Sequence, residues 1–178
     1  MSNLSEGKPV SASRTIIAQL MQPEHANNQG NVHGGWIMKL VDEAGALACM
    51  RHAGKRVVTI AVDQMVFRHP ILITDLVTLT AEVSYVGRTS MEAEVQVTAE
   101  NPITGKRIHT NTAYCVYVAL NDDGHPAPVP PLIPETEEQR QRMEEGKARQ
   151  AYRLAQSRRT AGRSIEHTEQ KPVEESTR

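Results

Sequence analysis

The stretch from Gly35 to about His52 limits the possible folds more than any other. Ile37, Leu40, Val41, Ala44, Leu47 and Ala48 recur at steps of three and four residues, which is the period of a helix. Gly54 supplies a stop at the far end. Eighteen residues at 1.5 Å each predict a rod of roughly 27 Å. Most of its circumference is apolar, and its middle is made of small residues: Ala44, Gly45, Ala46 and Ala48. A helix apolar nearly all round has to be wrapped by other structure. The rest of the chain must supply a sheath.

The sheath is legible downstream. Val57 to Phe67, Leu76 to Val86, Ser90 to Glu100 and Lys106 to Leu120 read as strands. Val77, Leu79, Ala81, Val83 and Tyr85 alternate with Thr78, Thr80, Glu82 and Ser84, and Met91, Ala93, Val95, Val97 and Ala99 alternate likewise. The links Gly87-Arg88-Thr89 and Asn101 to Gly105 are short and turn-like. Thr15 to Met21 predicts a first strand, although its length leaves a helix open. One long helix followed by an antiparallel meander is an α+β fold.

At 178 residues the chain suits one domain with an extra segment. It is short for an α/β-hydrolase and has no G-x-S-x-G elbow. Residues 1–12 read as a flexible N-terminal arm, and 13–132 as the folded domain. Within the latter, Asp122 onward opens a proline-rich extended linker that runs to Pro134. A charged helix follows over 133–158. Thr136-Glu137-Glu138-Gln139 matches a capping box, and Glu138 with Arg142 and Glu145 with Arg149 are spaced to pair along it. Met143, Tyr152 and Ala155 give it a thin apolar stripe. Residues 159–178 are polar, carry Gly and Pro, and predict a disordered tail.

Several function classes drop out. A net charge of -1 gives no general attraction to nucleic acid or an acidic membrane. The two cysteines, Cys49 and Cys115, are far apart in sequence, which argues against a disulfide framework or a zinc finger and fits a reducing compartment. The seven histidines make no ligand spacing, so no metal site and no cofactor are expected. With no apolar leader and no run of about 20 apolar residues, a cytoplasmic location is expected.

Candidate site residues gather around the helix start. Asp42 lies on the same face as Met38, Gly45, Ala46 and Cys49, none of which can neutralise it. An Asp in mid-helix is most often solvated, but the small-residue stripe here points to a buried and useful carboxylate. Gly34 and Gly35 either make a tight turn or leave N–H groups free for a substrate oxygen. Asn27 reads as a turn residue and His33 as a loop histidine. Arg88, Thr89 and Ser90 fit either a plain hairpin or a phosphate contact.

Three stretches together carry a family resemblance. They are ANNQGNVHGGWIMKLVDEAGALAC (Ala26 to Cys49), RTSMEAEVQVTAENPITGKR (Arg88 to Arg107) and AYCVYVALNDDGHPAPVPPL (Ala113 to Leu132). Over about residues 12–155 the chain resembles the cytosolic acyl-CoA hydrolase branch of the hotdog-fold thioesterases. The resemblance implies a hotdog fold, with an antiparallel sheet wrapped around the long helix. It also implies domains that pair through their sheets, with dimers joining into hexamers as trimers of dimers.

The family's catalytic aspartate falls on Asp42, and its loop asparagine, donated by the mate, falls on Asn27. Many relatives carry two tandem domains with one of these residues in each; this chain has one domain bearing both, which implies a homodimer with two equivalent sites. The expected reaction is hydrolysis of fatty acyl-CoA to fatty acid and CoA. Asp42 would act as general base or nucleophile, with Asn27 orienting the water or intermediate. His33, Gly34 and Gly35 would contact substrate, and Arg88, Thr89 and Ser90 would cradle a CoA phosphate. The alternatives are a hotdog enoyl-thioester hydratase or dehydratase, faintly suggested by Phe67-Arg68-His69-Pro70, and a non-catalytic acyl-CoA-binding module.

Overall fold

The alternation in the sequence becomes an antiparallel sheet with one face turned to the helix. The computed structural model describes residues 6–63 and 65–169, with side chains to residue 158. In chain order the strands are β1 (Lys8–Pro9), β2 (Thr15–Leu20), β3 (Arg56–Val62), β4 (Leu76–Val86), β5 (Ser90–Glu100), β6 (Arg107–Leu120) and β7 (Leu132–Ile133). The helices are α1 (Gly34–Ala53), which follows β2, and α2 (Glu137–Glu169), which follows β7. Five strands form the main sheet in the order β2-β4-β5-β6-β3, every pairing antiparallel. β2 and β3 are therefore its edges.

One face of this sheet holds α1. Val77, Leu79, Ala81 and Val83 of β4, Ala93, Val95 and Val97 of β5, and Ala113, Cys115, Tyr117 and Ala119 of β6 are all 0% exposed. They join Ile37, Leu40, Val41, Ala44, Ala48 and Cys49 of α1 in a single core. Burying each larger aliphatic side chain stabilises by roughly 1.5–3 kcal/mol. The helix extends one residue beyond the predicted bounds at each end. It stops where Gly54 takes a left-handed φ of 62°.

The other face is polar and is covered by α2. Glu92 of β5 has a side chain only 1% exposed, and it meets Arg149 and Arg153, each at 2.8 Å. Arg142 reaches Glu82 and Glu94, both at 3.5 Å, and Arg149 also lies 3.8 Å over the Tyr114 ring. The capping box is formed as predicted: Gln139 N–H donates to Thr136 Oγ1, and Gln139 Oε1 accepts from Glu135 and Thr136. Glu138 pairs with Arg142 and Glu145 with Arg149.

The structure corrects several boundaries. α2 docks through Arg142, Gly146, Arg149 and Arg153, and Tyr152 of its apolar stripe is 65% exposed. Counter-charges on the sheet select that face. The α2 backbone runs on to Glu169, past the predicted end, and the remainder of the expected tail, 170–178, lies outside the described residues. Residues 1–5 of the expected arm also lie outside them. From Lys8 onward the arm is docked: Lys8–Pro9 pairs in parallel with Leu132–Ile133, and the Lys8 N–H donates to Pro131 O at 2.8 Å. Prolines of the linker have no N–H, but their carbonyls still accept. β3 stops at Val62 instead of Phe67; the Asp63 N–H still donates to Tyr114 O at 2.9 Å, and its side chain meets Arg153 at 2.6 Å.

Two stability measurements follow. Replacing Arg149 and Arg153 together by methionine strands Glu92 and should cost about 3–5 kcal/mol in urea unfolding. Glu92→Gln should cost less, because both guanidinia are partly exposed and can turn to water. His52 is fully buried, its Nε2–H donating to Pro130 O at 2.9 Å, and burial lowers its pKa from 6.5 against the raising effect of that bond. The folded state thus takes up its proton later than the unfolded chain does. This stabilisation is complete above about pH 6.5 and is lost as pH falls from there through the folded value. Unfolding midpoints should drop over that window, and His52→Gln should shrink the drop.

Candidate active site

Asp42 sits half-buried on α1, on the flank that faces β3. Its surroundings follow from strand register. Thr59 of β3 and Tyr117 of β6 are direct cross-strand partners, so their side chains rise from the same face of the sheet. Both reach Asp42. Thr59 Oγ1 donates to Asp42 Oδ1 at 2.7 Å. The Tyr117 hydroxyl donates to the Asp42 main-chain oxygen at 2.9 Å and lies 3.3 Å from Oδ1. No hydrogen bond engages Oδ2 among the described residues.

Gly45, one turn on, makes room for this arrangement. A Cβ there would collide with the Tyr117 hydroxyl and lie 3.1 Å from two ring carbons. Burial above all, then the neighbouring Cys115 and Asp42, pushes the Tyr117 phenol far up from its ordinary pKa, so it stays a donor. Burial likewise raises the Cys115 thiol to about 11 and the Cys49 thiol well above its usual range. Neither is a nucleophile in this setting. Lys39 does not reach Asp42; it pairs with Glu43 at 2.7 Å and lies over Trp36.

This site stands open to one side. β3 is an edge strand, and Val58, Ile60 and Val62 are 44%, 57% and 44% exposed. Its pairing with β6 shifts register between Thr59 and Ala61, leaving Ile60 as the extra residue of a bulge beside Thr59. Met38, Leu47 and Met50 are exposed on α1.

The other predicted residues fall in three places. Asn27 lies in the loop before α1, where its Oδ1 accepts from the N–H groups of Gln29 at 2.8 Å and Asn31 at 3.2 Å. Its amide nitrogen makes no hydrogen bond among the described residues. Within one chain no hydrogen bond joins Asn27 to Asp42 among the described residues. His33 is the N-cap of α1, with Nδ1 accepting from the Gly35 N–H at 2.9 Å. That occupies one of the two glycine amides expected for a substrate, and leaves Gly34 as an orphan first-turn donor.

Arg88, Thr89 and Ser90 form the β4–β5 turn, with Arg88 exposed and without an ion pair among the described residues. The Arg88 carbonyl accepts from Val129, and the next residue, Pro130, accepts from His52 near the far end of α1. The turn therefore lies at the opposite end of the helix from Gly34, about 30 Å away by helix length. His69 lies exposed in the loop after β3.

Thr59 and Tyr117 were not among the predicted site residues. Alternation along β6 does point Tyr117 inward, opposite a glycine in the helix, and that pairing of a large residue with a missing side chain was the available signal. Thr59 had none, because its place beside Tyr117 is set by pairing with a distant strand.

Comparison with known proteins adds an independent line. Residues 29–106 match the thioesterase superfamily. The cytosolic acyl coenzyme A thioester hydrolase of Rattus norvegicus is 38% identical over 81% of this chain, and the chain spans 38% of that relative's length. An uncharacterised acyl-CoA thioester hydrolase of Bacillus subtilis is 37% identical over 75% of this chain and 74% of its own. The structure of the acyl-CoA hydrolase of Staphylococcus aureus in complex with butyryl coenzyme A, coenzyme A and coenzyme A disulfide is 32% identical. It has a TM-score of 0.83 over 93% of this chain and 100% of that one. The same hydrolase has been solved with alanine in place of an asparagine, an aspartate and a threonine in turn. An apo-hexameric acyl-CoA thioesterase is 36% identical, with a TM-score of 0.82 over 85% of this chain and 97% of its own.

The His33 cap is open to direct test. His33→Ala removes the acceptor for Gly35 and should cost about 1 kcal/mol in chemical unfolding. His33→Asn, which keeps a capping acceptor, should restore most of it.

Proposed function

This chain belongs to the thioesterase superfamily and has the hotdog fold, and on that footing we propose that it hydrolyses fatty acyl-CoA to a free fatty acid and CoA. Asp42 is the acting carboxylate. The observation that carries this reading is the anchoring of Oδ1 by Thr59 with Oδ2 left bare on a flank open to solvent. The asparagine, aspartate and threonine replaced in the S. aureus hydrolase have the same spacing along its chain as Asn27, Asp42 and Thr59 have here.

Two routes fit this geometry. In the first, Oδ2 takes a proton from water, and the resulting hydroxide attacks the thioester carbonyl. The tetrahedral intermediate then breaks its C–S bond, and the CoA thiolate recovers the proton. In the second, Oδ2 itself bonds to the carbonyl carbon, the thiolate leaves, and water splits the mixed anhydride. In both, negative charge develops on the carbonyl oxygen and needs donors aimed at it. The Gly34 N–H of the partner subunit, at the positive end of its α1, is one, with the Gly35 amide committed to His33. Asn27 of the partner subunit is the other, offering its amide N–H because its carbonyl is already engaged.

The assembly is a homodimer formed at the exposed edge β3, with dimers joining into a hexamer. Hexameric thioesterases among the similar structures support that arrangement. A two-fold axis at this edge runs the second α1 antiparallel to the first. The Asn27 loop of one subunit then approaches the end of α1 that carries the Arg88 turn of the other. Arg88, with Thr89 and Ser90, takes a CoA phosphate there, which reconciles residues a helix length apart in one chain. The proposed location is the cytoplasm, as the mammalian relatives' names state for those proteins, and no described helix is long and apolar enough to cross a membrane.

The test is release of free thiol from acyl-CoAs of graded length. Asp42→Ala should lower kcat about 10²–10⁴-fold while CoA binding persists. Retained turnover removes Asp42 from the mechanism. Mixing Asp42→Ala and Asn27→Ala protomers should restore part of the activity through heterodimers bearing one intact site. No recovery despite confirmed subunit exchange excludes Asn27 acting across the seam. Enoyl-thioester hydration without thiol release would favour the hydratase alternative.

A further inference from the structure

We propose that Tyr117 is a positioning residue for this reaction: admitted by Gly45, its hydroxyl fixes Asp42 so that Oδ2 is the oxygen presented to the thioester. The inference rests on the thioesterase reading above and concerns a side chain which that reading does not use.

An aspartate on a helix has two free torsions, and a single bond from Thr59 to Oδ1 does not remove both. Tyr117 contributes what is missing. Its hydroxyl stands between two oxygens of one residue, 2.9 Å from the main-chain carbonyl and 3.3 Å from Oδ1. One proton is shared over both acceptors, with the larger share on the main chain. The separation of Oδ1 from its own backbone is thereby set, and with it the side-chain torsions. Oδ1 faces two hydroxyls, so the second oxygen turns towards the open flank.

The hydroxyl can do this because it cannot move. Tyr117 is 0% exposed, and its ring lies against the helix at Gly45, where even one added carbon would collide. Burial keeps the phenol protonated, so its role as donor does not vary over ordinary pH. Gly45 costs the helix about 1 kcal/mol relative to alanine. A residue with that cost, three places after the acting carboxylate, has a purpose if it admits the hydroxyl.

The alternative is that Tyr117 merely fills the core. Tyr117→Phe separates the two, since it keeps the ring and deletes only the hydroxyl. Positioning predicts that kcat for thiol release falls about tenfold, the scale of one lost hydrogen bond, with KM for acyl-CoA unchanged. A filling role predicts an unaltered kcat whatever happens to thermal stability. In an Asp42→Ala background, adding Tyr117→Phe should cause no further loss, because the hydroxyl acts only through Asp42. A further loss there overturns the proposal, as does full kcat in folded Tyr117→Phe. Should Tyr117→Phe fail to fold, Gly45→Ala decides: displacing the hydroxyl should lower kcat similarly, and undiminished kcat is the contrary result. Absence of thiol release from the wild-type protein with every acyl-CoA removes both readings. Wild-type turnover with an indifferent Tyr117→Phe removes this one alone.

Discussion

Everything at the centre of this fold depends on how closely β6 can approach α1, and that distance is set by an absent side chain. Ala44, Ala48 and Cys49 are wholly buried, and Gly45 between them presents bare backbone to Tyr117. Packed interiors do not absorb even a methyl group freely. A side chain at 45 would displace the Tyr117 hydroxyl and press on its ring carbons at 3.1 Å. Thr59 is the cross-strand partner of Tyr117, so the ring that Gly45 admits and the hydroxyl that anchors Asp42 stand side by side. Core packing and site geometry are here one constraint.

The opposite face of the sheet solves a different problem. Its outward residues include Glu82, Glu92 and Glu94, with Asp63 just past β3, and carboxylates cannot be covered by an apolar helix. They are covered by Arg142, Arg149 and Arg153 of α2, joined by Arg14 near Glu82. Four acids thus face four arginines. Pairing of this kind adds little net stability over a hydrophobic contact, but it penalises misplacement heavily, because a shifted helix would leave a buried charge alone. The spacing of 142, 149 and 153 along one helical face therefore fixes where α2 lies. The same face also reaches the end of β3, where Arg153 holds the Asp63 side chain four residues after Thr59. The charged layer thus extends to the edge strand on which the site stands.

What could be read from the chain beforehand divides along the line between local and non-local causes. The helix was legible to within a residue at each end, since its period, small centre and glycine stop are all local. Strand alternation was equally plain, and so was the singular position of Asp42 among small neighbours. Glu92 was not legible as buried, because alternation assigns a glutamate to the solvent face and says nothing of a later helix covering it. The docking face of α2 was not legible for a related reason: it is basic, and its counter-charges lie on strands far away in sequence. The capping role of His33 was not legible, because an imidazole nitrogen caps a helix less often than a serine or aspartate oxygen does. Thr59 was out of reach altogether. Its place beside Asp42 comes from register with a strand almost sixty residues away, which leaves no trace in local sequence.

The hydrogen-bonding inventory of the candidate site leads to a last step about why a single chain looks unfinished. Asp42 is saturated on Oδ1 and bare on Oδ2, so towards open space it presents only an acceptor. Asn27 is saturated on its carbonyl by two backbone amides, so it presents only a donor. Each is half of what a polarised carbonyl with an attacking water requires, and no bond between them is made within the chain. The strand between Asp42 and solvent is an unpaired edge carrying exposed Val58, Ile60 and Val62, a combination that monomeric proteins avoid. If β3 pairs with its symmetry mate, the same event covers that edge and brings the Asn27 donor to the Asp42 acceptor. On the proposed mechanism, then, the edge strand is exposed for the same reason that Asp42 has a free oxygen. Assembly and catalysis would be completed by one contact, and a chain held monomeric would keep the anchored aspartate while lacking its counterpart.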